Sequence, residues 1–165
     1  MTTNRKALDT QLIELAGRNW LASTLQRAGI EVARPERDRG VDLIAYVDRD
    51  RRVSRFVACP IQMKAATEAS FSLYPRYSDF PGIFLAYVWY LGRPAETKSY
   101  ALTYDEALRV AKQMGWTKTS SWLHGGKGRM RGYSTTKPPE RLRSLLAAYE
   151  MNSDGWWLKV NGSVV

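Results

Sequence analysis

The chain has 165 residues, of which 44% are hydrophobic and 12% aromatic, enough for one domain with a sizeable core and too few for two independent ones. Lysine and arginine total 25 against 16 acids, and the resulting charge of +9 suits a polyanionic partner such as nucleic acid. The longest apolar run, IFLAYVWYL at 83–91, is about half of what a membrane-spanning helix needs, which excludes a helical membrane protein, and a lone cysteine, Cys59, excludes an internal disulfide.

The opening MTTNRKALDTQ has no apolar core and no small-residue cleavage site, so no secretory signal is expected and a reducing, cytoplasmic setting is the default. Over residues 5–28, Leu8, Leu12, Leu15, Ala16, Trp20 (with Leu21) and Leu25 follow three- and four-residue spacing, which predicts an amphipathic helix stopped by Gly29. IEVAR (30–34) reads as a short strand and PERDRG (35–40) as a loop closed by Gly40. VDLIAYV (41–47) and RFVACPIQMKA (55–65) predict two strands joined by a polar hairpin connection, DRDRRVS. FSLYPRYSDFPG (71–82) carries no assigned element. Residues 83–91 and 97–104 predict two further strands, with GRPAE as their hairpin loop.

Thr103 or Asp105 caps a helix over EALRVAKQMG that ends at Gly115. HGGKGRMRGYSTTKPP (124–139) is rich in glycine and cations and predicts a long basic loop or irregular hairpin. Pro138 or Pro139 opens a last helix, PERLRSLLAAYE, followed by the aromatic tail MNSDGWWLKVNGSVV, left unassigned. The order predicts one α/β domain over 1–165, in two or three layers, with a mixed central β-sheet flanked by α-helices.

One stretch, CPIQMKA (59–65), carries the chemistry. Period-two geometry places Gln62 and Lys64 on one face, roughly 7 Å apart, while Ile61 and Met63 point into the core. Asp42, just after Arg39 and Gly40, lies across from them if the two strands pair as a hairpin. A carboxylate and an amide carbonyl suit Mg²⁺ or Mn²⁺, which activates water, and a lysine beside them stabilises or deprotonates that water. Glu14 supplies a second carboxylate if the first helix packs beside the hairpin.

Glu14, the GVD that ends in Asp42, and the IQMK that ends in Lys64 together resemble the PD-(D/E)XK nuclease superfamily in its Q-x-K variant, whose members include Holliday-junction resolvases, restriction enzymes and some homing endonucleases. The resemblance covers about residues 14–65. It implies a restriction-endonuclease-like core, Asp42 as the central metal ligand, Gln62 where an acid is usual, Lys64 as the lysine and Glu14 as the helix acid, acting with Mg²⁺ or Mn²⁺ on DNA. Two departures stand out. Gln62 removes a negative charge from the metal set. Pro60 removes a ladder hydrogen bond, so a bulge or a locally open edge is expected in that strand.

Each residue also has a plainer reading. Asp42 caps a turn after Gly40, Lys64 reaches past a strand end, and Glu14 pairs with Arg18 at i+4. His124, the single histidine, is weak evidence for acid–base chemistry. Lys127, Arg129, Arg131, Lys137, Arg141 and Arg143, against the single acid Glu140, are expected to contact phosphates. Trp20 and Trp89 read as core, with Trp116, Trp122, Trp156 and Trp157 left open. The leading expectation is a metal-dependent endonuclease with nucleic acid, DNA first, as its partner. The alternatives are a nuclease-fold domain that binds without cutting, and a protein-interaction module whose aromatic tail docks on a partner or on a second copy as a homodimer.

Overall fold

The computed structural model describes residues 9–37, 39–48, 56–125 and 130–162. Helix α1 (Thr10–Arg27) begins at Asp9, whose carboxylate accepts the Leu12 N–H at 2.8 Å, and ends before Gly29, whose φ of +77° an L side chain rarely adopts. Its buried face is Gly17, Leu21, Thr24 and Leu25. Leu12 and Leu15 belong to the expected apolar stripe yet are 49% and 46% exposed. Gly17 explains the rotation. A Cβ there would collide with the Ala65 methyl, so the helix lies against the sheet at its glycine, and its leucines at 12 and 15 turn away. Glu14, three residues before Gly17, lies on the same side of the helix but is exposed.

The strands are β1 (Glu31–Ala33), β2 (Leu43–Asp48), β3 (Phe56–Ala65), β4 (Phe71–Leu73), β5 (Phe84–Trp89), β6 (Lys98–Thr103), β7 (Tyr133–Thr135) and β8 (Glu150–Met151). Six of them form a sheet in the order β1-β2-β3-β5-β6-β8, mostly antiparallel, with only β3 and β5 parallel. A parallel pair needs a crossover, and residues 66–83 supply it. Within them β4 pairs with β7 in a separate two-stranded sheet, then a 3-10 turn spans Pro75–Asp79.

Helix α2 (Tyr104–Gln113) opens with a reciprocal box between Thr103 and Glu106 and is followed by Gly115 at φ +76°. Strand β7 lies within the 124–139 stretch expected to be a loop or irregular hairpin, and helix α3 (Ser120–His124) ends at its first residue. Helix α4 (Glu140–Leu146) stops earlier than expected because Glu150 and Met151 pair with Tyr100 and Ser99 as β8. The tail forms α5 (Ser153–Asn161).

Alternation along the central strands feeds two cores. Ile61, Met63, Ala86 and Val88 face α1 and α5, where Leu21, Leu25, Trp156 and Val160 are fully buried. Leu85, Tyr87, Trp89 and Leu102 face the other way, with Val110, Trp116, Trp122, Leu142 and Leu146. The result is an α/β fold in three layers, a six-stranded sheet flanked by helices. Trp156, fully enclosed and donating to Ser99 Oγ at 3.2 Å, is committed to this chain's own core, whereas Trp157 and Leu158 of the same tail are exposed. Among the described residues no helix is long and apolar enough to cross a membrane.

Candidate active site

Antiparallel pairing of β2 with β3 sets Leu43 opposite Ile61, so Asp42 falls one step further on, beside Gln62. Its backbone N–H donates to the Ile61 carbonyl at 2.8 Å. The Asp42 side chain is buried, and its Oδ2 accepts from Gln62 Nε2 at 2.5 Å and from the Met63 N–H at 2.6 Å. Gln62 Nε2 also donates to the Met63 carbonyl at 3.2 Å. Both neighbours of that nitrogen are acceptors, which fixes the amide orientation. The Gln62 carbonyl oxygen therefore points away, and lies 3.8 Å from where a Gly40 side chain would begin. Gly40, at φ +92°, takes a conformation that side chains resist and leaves that space to Phe80 and Gln62.

The other carboxylate oxygen, Asp42 Oδ1, faces Arg18 Nη2 at 3.8 Å. Arg18 thus serves Asp42, where the plainer reading paired it with Glu14, and its Nε is a buried donor with no protein partner. Asp42 is held from three sides, by a side-chain amide, a backbone N–H and a guanidinium.

Lys64 follows on the same strand face as Gln62, opposite Tyr87 of β5. Glu14, Asp42, Gln62 and Lys64 all line one cavity of about 400 Å³. Arg39, Gly40 and Arg76 line it too, with Tyr77 and Phe80 as apolar walls. Among the described residues Lys64 and Arg39 have no ion-pair or hydrogen-bond partner, whereas Arg76 lies over the Tyr74 and Tyr77 rings at 5.8 and 5.4 Å. Two carboxylates share this space with Lys64, Arg39, Arg76 and the adjacent Arg18, so the net field favours an anion.

For a divalent ion, the carboxylates of Asp42 and Glu14 are the oxygen donors on one cavity, while the Gln62 carbonyl faces away from Asp42. Among the described residues no group of three or more His, Cys, Asp or Glu side chains comes together. The set still fits Mg²⁺ or Mn²⁺ chemically, since such ions keep several waters and take only one or two carboxylates.

Pro60 is accommodated as an open edge. Pairing of β3 with β2 runs unbroken from Phe56 to Ile61, while pairing with β5 begins only at Ile61. The proline thus sits just before the second neighbour joins, where a missing N–H costs no ladder bond on that side.

The expected phosphate contacts divide. Lys127 and Arg129 lie outside the described residues. Arg131, Lys137 and Arg141 are exposed, and none lines the cavity with Asp42. Arg143 turns inward. It donates to the Tyr90 hydroxyl at 2.8 Å and the Pro138 carbonyl at 3.2 Å and stacks over Trp89, so the fold uses it as a clamp. His124 is exposed at the end of α3, away from the cavity's lining. The sequence assigns no site role to Arg39 or Arg76, and offers Arg18 only as a partner for Glu14. Arg39 had a local signal, preceding the Gly40 turn that ends at Asp42, but Arg76 sits in a stretch without a recognisable period.

Fold and cavity together define an α/β protein with a partly buried acid–amide–lysine cluster in a cationic pocket. Compared with family models, curated proteins and solved structures, the chain matches none.

Proposed function

We propose that the chain is a metal-dependent endonuclease with a restriction-endonuclease-like core, of PD-(D/E)XK type in the Q-x-K variant, hydrolysing phosphodiester bonds in DNA. The observation that carries this reading is the cavity shared by Glu14, Asp42, Gln62 and Lys64, with Lys64 and Arg39 lacking any partner among the described residues. A backbone phosphate satisfies those cations, and Arg76 adds a third.

Lys64 then sits beside the phosphate, placed to orient an attacking water and to stabilise charge on the pentavalent transition state. Asp42 and Glu14 would hold Mg²⁺ or Mn²⁺. When bound, that ion supplies Lewis acidity and a lowered water pKa. The Gln62 amide and the Met63 N–H keep Asp42 in one orientation, which preorganises the set before substrate arrives.

A second reading is a nuclease-fold domain that binds DNA without cutting. Arg18 against Asp42 favours it, because a guanidinium there competes with a metal for the same carboxylate. Incubation of plasmid and single-stranded DNA with Mg²⁺, Mn²⁺ or chelator separates the two. Nicking that needs the metal and disappears in Lys64→Ala supports the endonuclease. Salt-sensitive binding with no cleavage under any metal leaves only the second reading.

A further inference from the structure

We propose that a second, apolar pocket takes the base of an unpaired nucleotide whose phosphate lies in the cavity of Lys64, Arg39 and Arg76. This deepens the nucleic-acid reading above and rests on it.

The pocket holds about 340 Å³. Its floor is Ile44 of β2 with Ala58 and Pro60 of β3, and Val41 and the Phe80 ring wall it. Ile44 and Pro60 are direct cross-strand partners, and residues 58, 60, 62 and 64 share one strand face. Along that face the surface changes from apolar at Ala58 and Pro60 to polar at Gln62 and Lys64. The step from Pro60 to Gln62 is roughly 7 Å, the scale of a single nucleotide. Arg39 and Phe80 line both spaces, so the pocket and the phosphate cavity are contiguous.

Three features select the occupant. The pocket adjoins a cationic cavity, which brings a phosphate and its attached nucleoside rather than a free apolar molecule. The exposed Arg37 and Arg39 flank it, and guanidinium planes and aromatic rings both stack on bases. Pro60 has no N–H to leave unsatisfied at this open edge, which keeps the floor apolar. Among the described residues no carboxylate or amide side chain lines the pocket, so shape and stacking dominate its contact with a base. A base held in a duplex cannot enter, and the substrate is therefore an unpaired or extruded nucleotide.

Fluorescence anisotropy in chelator tests this with labelled oligothymidylate and an abasic strand of the same length. The parent protein is expected to bind oligothymidylate at least about fivefold more tightly. Ala58→Ile, which fills the pocket from an exposed strand position with a side chain that has no stacking face, is expected to erase that preference while leaving abasic-strand affinity unchanged. Phe80→Ala should reduce the preference as well, and it decides the matter if Ala58→Ile does not fold. Equal affinity of the parent protein for both strands, or an undiminished preference in the filled variant, overturns the proposal. Failure to bind either strand removes the nucleic-acid reading along with it, whereas absent cleavage with a base preference intact counts against the proposed chemistry alone.

Discussion

Two polar cavities in this molecule differ in how their charges are used. The larger, about 870 Å³, lies at the turn between β5 and β6 and is lined by Arg93, Lys98 and Arg143. Every one of those cations is satisfied. Arg93 meets Glu68 at 2.5 Å and Glu96 at 2.9 Å and stacks on Tyr90, Lys98 meets Glu150 at 3.2 Å, and Arg143 meets the Tyr90 hydroxyl. Tyr90 itself adopts a φ of +63°, uncommon for a side-chain-bearing residue, and these contacts hold it there. The smaller cavity, about 400 Å³, has Lys64 and Arg39 without partners among the described residues. Under the proposed function, unmet charge next to a fixed carboxylate, rather than volume, marks where the ligand binds.

That contrast can be broken by experiment. The largest effect is expected for Lys64→Ala, which should lower metal-dependent cleavage on the order of a hundredfold or more without moving the thermal midpoint, while Arg143→Ala leaves cleavage unchanged. Plasmid-nicking rates on both variants check this. Asp42→Ala should cost about 3 kcal/mol in urea denaturation, because the Gln62 amide and the Met63 N–H lose a buried acceptor. Arg143→Ala is expected to cost about 1–2 kcal/mol by the same measurement with no change in oligonucleotide affinity, the signature of a clamp.

Arg39→Ala sharpens the other side. Its stability should stay within about 0.5 kcal/mol of the parent, while the slope of log affinity against log salt falls by about one. The smallest effect concerns a further satisfied cation, Lys159, which meets Glu106 at 2.6 Å. Burial alone would raise the Glu106 pKa. The Lys159 hydrogen bond and the Thr103 N–H outweigh it, leaving the group below its ordinary 4.5. A lowered folded-state pKa stabilises above 4.5, and the gain disappears as pH falls through the folded value. Lys159→Met should therefore be less stable than the parent by about 0.5 kcal/mol at neutral pH, with the deficit shrinking below pH 4.5. Urea midpoints across that range read it.

Local patterns made much of this molecule legible from sequence. Alternation in CPIQMKA separated Ile61 and Met63 from Gln62 and Lys64, and the structure divides them between its apolar core and its polar cavity in the same way. Capping chemistry offered Thr103 or Asp105 as the start of α2, of which the structure uses Thr103, and Pro60 announced a bulge or an open edge, of which the pairing shows the open edge. These signals depend on neighbours within a few residues, whose geometry the backbone period dictates.

Contacts across long separations were decided only by tertiary packing. The short strands β4 and β7 pair across about sixty residues of chain, and neither has enough alternation to declare itself alone. Trp156 lies in a tail with no clear period, and only the space between α1 and the sheet shows that it is core. Gly17 rotated α1 so that Leu12 and Leu15 face solvent while Glu14 turns to the cavity, an outcome of one close approach to Ala65 that no helical wheel contains. Arg18 and Arg76 reached Asp42 and its cavity in the same way, from elements far apart in the chain. Sequence period determined which residues share a face; the fit of one backbone against another determined which faces meet.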